Sequence, residues 1–455
     1  MIVSGWTTPC GLLKAEFKQR KEEGFLVPEC ALEAVEKLDG NVPEEAAYEK
    51  IYVLLEASVK DPHFPFTEPD ELDEIRAERP APVELPPCPG DPDILLDKWH
   101  GAWLGRCVGC ALGKPVEGMG MSGGKRHDIK RYLQNRGDWP LSDYFSGRDA
   151  GDGLHIGCEP STREKIAFME SDDDIRYTLT GLTIFERFGT SFTSENIARL
   201  WNELLPMNSV CTAERQALLN YNMHLRGWPF DKTFTRRFNN PYREWIGAQI
   251  RADFFGFMAP GNPELAAEYA WRDASWTHVK NGIYGEMFIA ALEAAAFVED
   301  DPAKLVAAAL AQIPENCRLA DGIRKALTEI GKRPDIEAFM DWLDLEYPDM
   351  SPVHTINNAL LCVAALFYGR MNPDRSVCLA VSGGLDTDCN GATVGAITGI
   401  VSGFKNFGGS LAGRLHDTVR ARFFEFQEIR ISELARRTAN VYPSNCGESG
   451  KTGRG

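Results

Sequence analysis

Two ladders of glycine constrain the fold of this chain more than any other feature. Glycine recurs at every fourth position in two segments: Gly101, Gly105, Gly109 and Gly113 in one, and Gly391, Gly395, Gly399 and Gly403 in the other. This spacing places each ladder along one face of a helix. Because a glycine inside a helix costs about 1 kcal/mol relative to alanine, each ladder requires a compensating contact. We expect both helices to lie in the centre of the domain and to pack closely on neighbouring backbone. The neighbouring backbone could be that of other helices, or the two helices could pack against each other.

The remaining long apolar patterns also have the helical period. They lie at residues 175–188, 283–298, 303–313 and 358–368. Alternating patterns typical of β-strands are scarce. The sequence therefore predicts an all-α fold built as a multi-helix bundle.

Composition divides the chain into four predicted segments. Residues 1–76 have short helical patterns and form a small helical N-terminal extension. Residues 77–93 are rich in Pro and Glu, which is typical of an extended linker. Residues 94–442 form the predicted catalytic domain, and residues 443–455 form a tail that we expect to be disordered.

The acidic composition limits the partners that we expect. A formal net charge of −17 repels phosphate backbones, which disfavours nucleic acid as a general partner. No apolar stretch is long enough to span a bilayer, and no secretory signal is recognised, so no membrane partner is expected. The twelve cysteines form no regular disulfide framework, which predicts free thiols and a cytoplasmic location. The oligomeric state stays open.

Two short acidic clusters each precede a helical pattern. Residues 171–174 read Ser-Asp-Asp-Asp, and residues 386–389 read Asp-Thr-Asp-Cys. Carboxylates with a hydroxyl are the ligands of hard divalent cations such as Mg²⁺ or Mn²⁺. If the fold brings the clusters together, they could hold two ions, as in metal-assisted hydrolysis. Either cluster could instead be a simple helix cap, because Asp and Ser are preferred at helix N-termini.

Four segments in order resemble the ADP-ribosylglycohydrolase family, which includes the dinitrogenase reductase-activating glycohydrolase and the ADP-ribosyl-acceptor hydrolases. Residues 101–117 resemble the opening helix and its following turn, and residues 260–263 and 272–278 resemble the central region. The first acidic cluster resembles the Thr-Asp-Asp-Thr motif of the family. Residues 384–390 resemble its closing Gly-Asp-Thr-Asp-Thr-Asn motif. Together the segments cover roughly residues 97–430.

The resemblance implies an orthogonal all-α bundle with two Mg²⁺ or Mn²⁺ ions, in which a metal-activated water cleaves the glycosidic bond of a small-molecule or protein-linked ADP-ribosyl group. The implied catalytic residues are Glu117, Asp173 and Asp388. The metal ligands implied by position are Ser171, Asp172, Asp173, Asp386, Asp388 and Cys389, with Asp388 bridging the ions.

Four further residues are candidates for substrate binding. His278 matches a Thr-His element of the family, although a lone His is often a hydrogen-bonded core residue. Asn240 and Arg251 could line the nucleotide end of a cleft, where Arg251 could meet a phosphate or could instead form a buried ion pair. Gly384 belongs to the closing motif.

Departures from the family pattern leave alternatives open. Cys110 stands where the family usually has Asp, Cys389 replaces a Thr ligand, and Leu385 is inserted before Asp386. A thiol is a poor ligand for Mg²⁺, so the second ion could be weakly held, be Mn²⁺, or use carboxylates and water. The chain could also be a non-catalytic ADP-ribose-binding or structural member of the family. A third alternative is a glycohydrolase for another nucleoside or sugar.

Overall fold

The computed structural model of the chain describes residues 6–37, 45–121, 125–224 and 229–442. Helices dominate these residues, which confirms the all-α prediction. No helix in the described part of the chain is long and apolar enough to cross a membrane. The predicted tail at residues 443–455 lies outside the described residues, and the predicted boundaries of the extension and the linker stay predictions.

The helices are numbered in chain order. They are α1 Pro9–Glu22, α2 Glu29–Glu36, α3 Glu45–Glu56, α4 Leu72–Ala77, α5 Pro92–Gly113, α6 Glu117–Gly120, α7 Lys125–Arg136, α8 Asp173–Phe188, α9 Ser194–Leu204, α10 Thr212–His224, α11 Lys232–Arg237, α12 Asp253–Phe257, α13 Pro263–Ala274, α14 Lys280–Ala296, α15 Pro302–Leu310, α16 Arg318–Ile330, α17 Ile336–Glu346, α18 Thr355–Gly369, α19 Pro373–Ser382, α20 Thr387–Ser402 and α21 Ile431–Val441. Two antiparallel pairs of short strands join β1 Phe25–Leu26 to β2 Val59–Lys60 and β3 Thr418–Val419 to β4 Ile429–Arg430.

The two glycine ladders lie on α5 and α20, which pack backbone to backbone in the core. A Cβ atom added at Gly391 would lie 2.5 Å from the carbonyl oxygen of Gly109. One added at Gly105 would collide with the carbonyl of Gly395, and one at Gly101 with that of Gly399. The expected close packing is confirmed, and the two helices are each other's partners.

The order of these contacts shows that α5 and α20 are antiparallel. Gly101, near the middle of α5, faces Gly399 near the end of α20, whereas Gly113 at the end of α5 faces the carbonyl of Thr387 at the start of α20. The turn that follows α5 therefore lies beside the first turn of α20. This juxtaposition brings Glu117 close to the second acidic cluster.

A buried arginine connects α5 to the first acidic cluster. Arg106 is fully buried and donates a hydrogen bond of 2.9 Å to the carbonyl oxygen of Asp174 at the start of α8. Its guanidinium also lies 2.7 Å from the carboxylate of Asp253 and 3.4 Å from that of Asp174. Breaking a buried ion pair of this kind costs about 3–5 kcal/mol, so Arg106 holds the start of α8 firmly against α5.

The N-terminal extension has a small core of its own and docks on the main bundle through buried charges. Leu12, Leu13 and Leu55 are fully buried in that core. Arg243 of the main bundle contacts Glu16 of α1 and Glu23, which directly follows α1, each at 2.6 Å. Because all three side chains are buried, replacing Arg243 would leave Glu16 and Glu23 unpaired in a low-dielectric interior, which costs about 3–5 kcal/mol.

One glutamate at this junction should make stability depend on pH. Burial raises the pKa of Glu22 from 4.5 to about 7, while Lys18 and Arg318 lower it and Glu244 raises it. A raised pKa means that the folded state binds the proton of Glu22 more tightly than the unfolded state does. The stability that this proton contributes to the fold is complete below pH 4.5 and is lost as the pH rises through about 7. We expect Glu22→Gln to exceed the wild type in free energy of unfolding by about 2 kcal/mol above this range and to match it at low pH.

Denaturant unfolding at the two ends of this pH range measures the effect. Glu33→Gln on α2 is the matched control, because Glu33 also faces a lysine four residues away but is exposed. A difference between Glu22→Gln and the wild type that does not change with pH would contradict the prediction.

Candidate active site

The two acidic clusters meet where α8 and α20 begin. Asp172 caps α8 by accepting a hydrogen bond of 3.0 Å from the backbone of Asp174. Asp386 occupies the cap position of α20 but makes no capping bond with its side chain. Among the described residues, possible ligand atoms lie within 4.8 Å of one another inside each of three groups: Cys110 with Asp172 and Asp174, Asp174 with Asp388 and Cys389, and Glu117 with Asp386 and Asp388.

These three groups form one contiguous acidic centre, because Asp174 and Asp388 each belong to two of them. Few positive charges compensate the carboxylates. The ammonium of Lys114 contacts Asp172, and Arg106 lies beside Asp174. The centre therefore carries more carboxylates than nearby cations can neutralise, which favours the uptake of protons or of further cations.

The pKa values of the carboxyl groups report this excess of negative charge. Burial and the charge of Asp172 raise the pKa of Asp173 to about 7 and that of Asp388 to about 6. The charge of Asp388, together with burial, raises the pKa of Glu117 to about 9. Asp172 differs, because Lys114 lowers its pKa even though burial opposes the charge.

The oxygen-only group fits a hard divalent cation. Glu117, Asp386 and Asp388 offer carboxylate oxygens, which such cations prefer. One buried oxygen of Asp386 and one of Asp388 have no hydrogen-bond partner. A buried carboxylate oxygen without a partner is costly, and a bound cation would remove that cost.

The other two groups fit a hard cation less well, since each contains a thiol. Cys110 is fully buried, and burial raises the pKa of its thiol well above the ordinary value. Burial does the same to Cys389, whose Sγ donates to the carboxylate of Asp174 at 3.3 Å. Both thiols are therefore protonated at neutral pH, and a protonated thiol is a poor metal ligand.

The acidic centre opens into a cleft of about 200 Å³. Glu117, Asp173 and Asp388 lie on its acidic side. Its other lining residues include the aromatic side chains of Trp6, Tyr177 and Trp245, together with Cys211, Glu214 and Ile246. The hydroxyl of Tyr177 is buried and has no hydrogen-bond partner. Aromatic faces next to carboxylates suit a ligand that has both a planar ring and hydroxyl groups.

The family model for the ADP-ribosylglycohydrolases matches residues 91–447. The chain belongs to the ADP-ribosylglycohydrolase family. A solved structure titled "ADP-ribosylglycohydrolase-related protein complex" is similar at 19% identity and a TM-score of 0.49, over 77% of this chain and 98% of that chain. A search of curated protein sequences finds no significant match.

In this member of the ADP-ribosylglycohydrolase family, the structure brings the sequence-predicted acidic residues together. Asp172, Asp386 and Asp388 lie in the acidic centre, and Asp173 lies on the wall of the cleft. Ser171 directly precedes them, and its hydroxyl donates a hydrogen bond of 2.7 Å to the carbonyl of Ala421. The individual metal-binding and catalytic roles stay predictions.

The residues predicted to bind substrate lie elsewhere. His278, Asn240 and Gly384 are not among the described residues that line the cleft. His278 is fully buried, and its Nδ1 shares a hydrogen bond of 2.8 Å with the hydroxyl of Thr277. Burial and the charge of Arg251 lower the pKa of its imidazole. Asn240 is also fully buried and donates to the carbonyl of Thr277. Gly384 forms the turn before Asp386, with a φ of +75° that favours glycine.

Arg251 is engaged in a buried ion-pair network instead of facing the cleft. Its guanidinium contacts Asp273 and lies 2.6 Å from Glu214, which lines the cleft. It also donates to the carbonyl of Gly247 at 2.7 Å and to the hydroxyl of Thr277 at 2.8 Å. With its donors occupied, Arg251 follows the ion-pair alternative, and it supports the cleft wall from behind.

Asp174, Lys114 and Trp6 belong to the site but were not predicted from the sequence. Asp174 belongs to two of the three ligand groups, and its place in the run of three Asp residues was the available signal. Lys114 follows the first glycine ladder directly, so the antiparallel pairing of the ladders would have placed it near Asp388. No sequence signal connected Trp6 to a cleft formed by residues far along the chain.

Proposed function

We propose that this chain is a metal-dependent hydrolase that cleaves the glycosidic bond of ADP-ribosyl groups. Family membership supports a glycohydrolase. The single observation that carries the metal dependence is the convergence of Glu117, Asp386 and Asp388, with two buried oxygens that have no partner. Two Mg²⁺ or Mn²⁺ ions are the cofactors that we propose, held by the acidic centre and by Ser171 and Asp173 beside it.

The proposed roles follow from position and charge. When bound, the ions would neutralise the carboxylates and lower the pKa of a water molecule in the cleft. Glu117 accepts the proton that this water loses as it attacks the anomeric carbon. Asp173, on the cleft wall, accepts hydrogen bonds from the ribose hydroxyls. The surrounding carboxylates favour the positive charge that develops on the ribosyl ring as the glycosidic bond breaks.

The proposed substrate is a small-molecule or protein-linked ADP-ribosyl compound. The aromatic and acidic lining of the cleft supports a ligand with a nucleobase and a ribose. We also propose a cytoplasmic location. No disulfide bond joins the cysteines of the described residues, as expected for a reducing compartment.

One observation favours a second function, that of a protein that binds ADP-ribose without cleaving it. Two of the three ligand groups contain a thiol, and the ammonium of Lys114 already contacts Asp172. Both features would weaken metal binding at that end of the acidic centre. The same test distinguishes the two functions.

The test uses the full-length chain after removal of metal with EDTA. It is incubated with ADP-ribosyl-arginine or ADP-ribosyl-serine, with and without Mn²⁺, and free ADP-ribose is measured by chromatography. We expect release of ADP-ribose that depends on the metal. We also expect Mn²⁺ to raise the midpoint of thermal unfolding, because an ion that binds only the folded state stabilises it.

Any other outcome of this test would support one of the alternative functions or contradict the metal dependence. Binding of ADP-ribose without product would indicate the binding protein. Cleavage of other nucleosides or sugar glycosides, but of neither ADP-ribosyl compound, would indicate a different substrate. Equal turnover in Mn²⁺ and in EDTA would contradict the metal dependence.

A further inference from the structure

We propose that Trp6 of the N-terminal extension is a specificity-determining residue that stacks against the planar ring of the substrate, the adenine of an ADP-ribosyl group. This inference rests on the proposed function and adds a residue from outside the segment that matches the family model, which begins at residue 91. Trp6 lines the cleft together with Glu117 and Asp388. The extension would thus be part of the substrate site.

Buried charges tie the extension to the loop that forms the cleft wall. Arg243 contacts Glu16 of α1 and Glu23 directly after it, and Gln19 of α1 donates a hydrogen bond of 2.7 Å to Glu244. The residues that follow directly, 245–247, line the cleft. Helix α1 is therefore anchored at the cleft itself.

The start of α1 determines where Trp6 lies. Thr8 caps the helix by accepting a hydrogen bond of 3.1 Å from the backbone of Gly11, and Trp6 stands two residues before this cap. Because α1 is anchored on the bundle and capped at Thr8, the short connection before the cap carries Trp6 to the cleft. The placement of Trp6 at the cleft is therefore a consequence of how α1 docks.

A fixed arginine holds the indole ring. The guanidinium of Arg215 lies 4.8 Å from the centroid of the Trp6 ring, within the range of a cation–π contact. Arg215 in turn donates to the backbone carbonyls of Val210 and Asn208. Trp6 nevertheless remains 47% exposed. One side of the ring is thus supported while a large part of its surface stays open.

An open, supported indole in an acidic cleft suits a neutral heteroaromatic ring. Stacking needs no hydrogen-bond partner, and every nucleobase offers an aromatic face. The carboxylates that line the same cleft would repel the phosphates of a nucleotide but would hydrogen-bond to ribose hydroxyls. Recognition of the base by Trp6 would give affinity that the ribose end of the cleft cannot supply.

The experiment compares a ligand that has the ring with one that lacks it. Binding of ADP-ribose and of ribose 5-phosphate to the full-length chain is measured by calorimetry in Mn²⁺. Removal of a stacking partner in Trp6→Ala should weaken ADP-ribose binding by about 5- to 100-fold and leave ribose 5-phosphate binding unchanged. Trp6→Phe should restore most of the affinity for ADP-ribose.

Phe404→Ala is the matched control. Phe404 is similarly exposed, at 45%, and its ring stacks on His100 with centroids 3.7 Å apart. It lies beyond the C-terminal end of α20, at the opposite end of that helix from Asp388. We expect this variant to bind both ligands as the wild type does.

Three results would overturn the inference. Unchanged ADP-ribose binding by Trp6→Ala would show that the indole ring does not contact the ligand, and tighter binding would show that the ring blocks the cleft. Equal loss for both ligands would show a structural role. If the wild type cleaves ADP-ribosyl compounds while either result holds, only this inference fails. If the wild type neither binds nor cleaves them, this inference and the proposed function fail together.

Discussion

Replacement of Asp388 by Ala is expected to reduce metal-dependent release of ADP-ribose by more than about 100-fold, because loss of a ligand should exceed the effect of losing a residue that supports one. Asp388 belongs to two of the three ligand groups, and one of its oxygens has no other partner. Turnover is measured with the ADP-ribosyl substrate that the wild type cleaves, over a range of Mn²⁺ concentrations. Near-normal turnover at saturating Mn²⁺ would contradict the proposed centre.

The variant should remain folded, which separates loss of function from loss of structure. Burial and the charge of Asp172 raise the pKa of Asp388 to about 6, so its carboxylate destabilises the metal-free protein at neutral pH. We therefore expect the thermal midpoint of metal-free Asp388→Ala to equal or exceed that of the wild type. Mn²⁺ should raise this midpoint much less in the variant.

A matched control tests whether the effect is specific to the acidic centre. Asp374 on α19 is another partly buried carboxylate, which accepts a hydrogen bond of 3.1 Å from the backbone of Ser410. Asp374 is not among the described residues that line the cleft. Asp374→Asn should retain the turnover and the metal response of the wild type.

Replacement of Gly109 by Ala is expected to destabilise the protein by about 3 kcal/mol or more, because the added Cβ collides with the backbone of α20. The nearest atoms are the carbonyl of Gly391 and the amide nitrogen of Ala392, which cannot move as a flexible side chain could. Denaturant unfolding measures the loss. Turnover should also fall, because α20 carries Asp388 and α5 leads to Glu117.

The sign of this effect is diagnostic. In a helix that lacks tight neighbours, Gly→Ala stabilises by about 1 kcal/mol. Gly413→Ala is the control, because Gly413 lies outside the α-helices and a Cβ there meets no atom within 4 Å. We expect that control to stay within about 0.5 kcal/mol of the wild type. A Gly109→Ala variant as stable as the wild type would show that the two backbones are not in contact.

Local patterns predicted much of the fold. The four-residue spacing of glycine indicated two helices in close backbone contact, and α5 and α20 have that contact. The period of the apolar residues predicted the all-α class. The run of Asp residues at 172–174 predicted a helix start with carboxylates, and Asp172 both caps α8 and belongs to the acidic centre. These features depend on residues that are a few positions apart, so the sequence records them directly.

Residue roles that depend on distant neighbours were predicted less well. The sequence was equally compatible with an Arg251 that binds a phosphate and with one that forms a buried ion pair. Only the contacts with Asp273 and Glu214 distinguish the two roles. His278 and Asn240 were also placed at the substrate, but both are fully buried in the described core. A motif names the residue type at a position, whereas burial depends on the surrounding helices.

The sequence by itself determined the helical class, the close backbone packing of two glycine-bearing helices and the presence of carboxylates at two helix starts. Only the tertiary structure decided that α5 and α20 run antiparallel, which places Glu117 beside Asp388, and that α1 brings Trp6 to the cleft. The physical reason is the sequence separation over which each interaction acts. Helix period and capping act within a few residues, whereas the excess negative charge of the acidic centre exists only after packing brings distant carboxylates within a few ångströms in a medium of low dielectric constant.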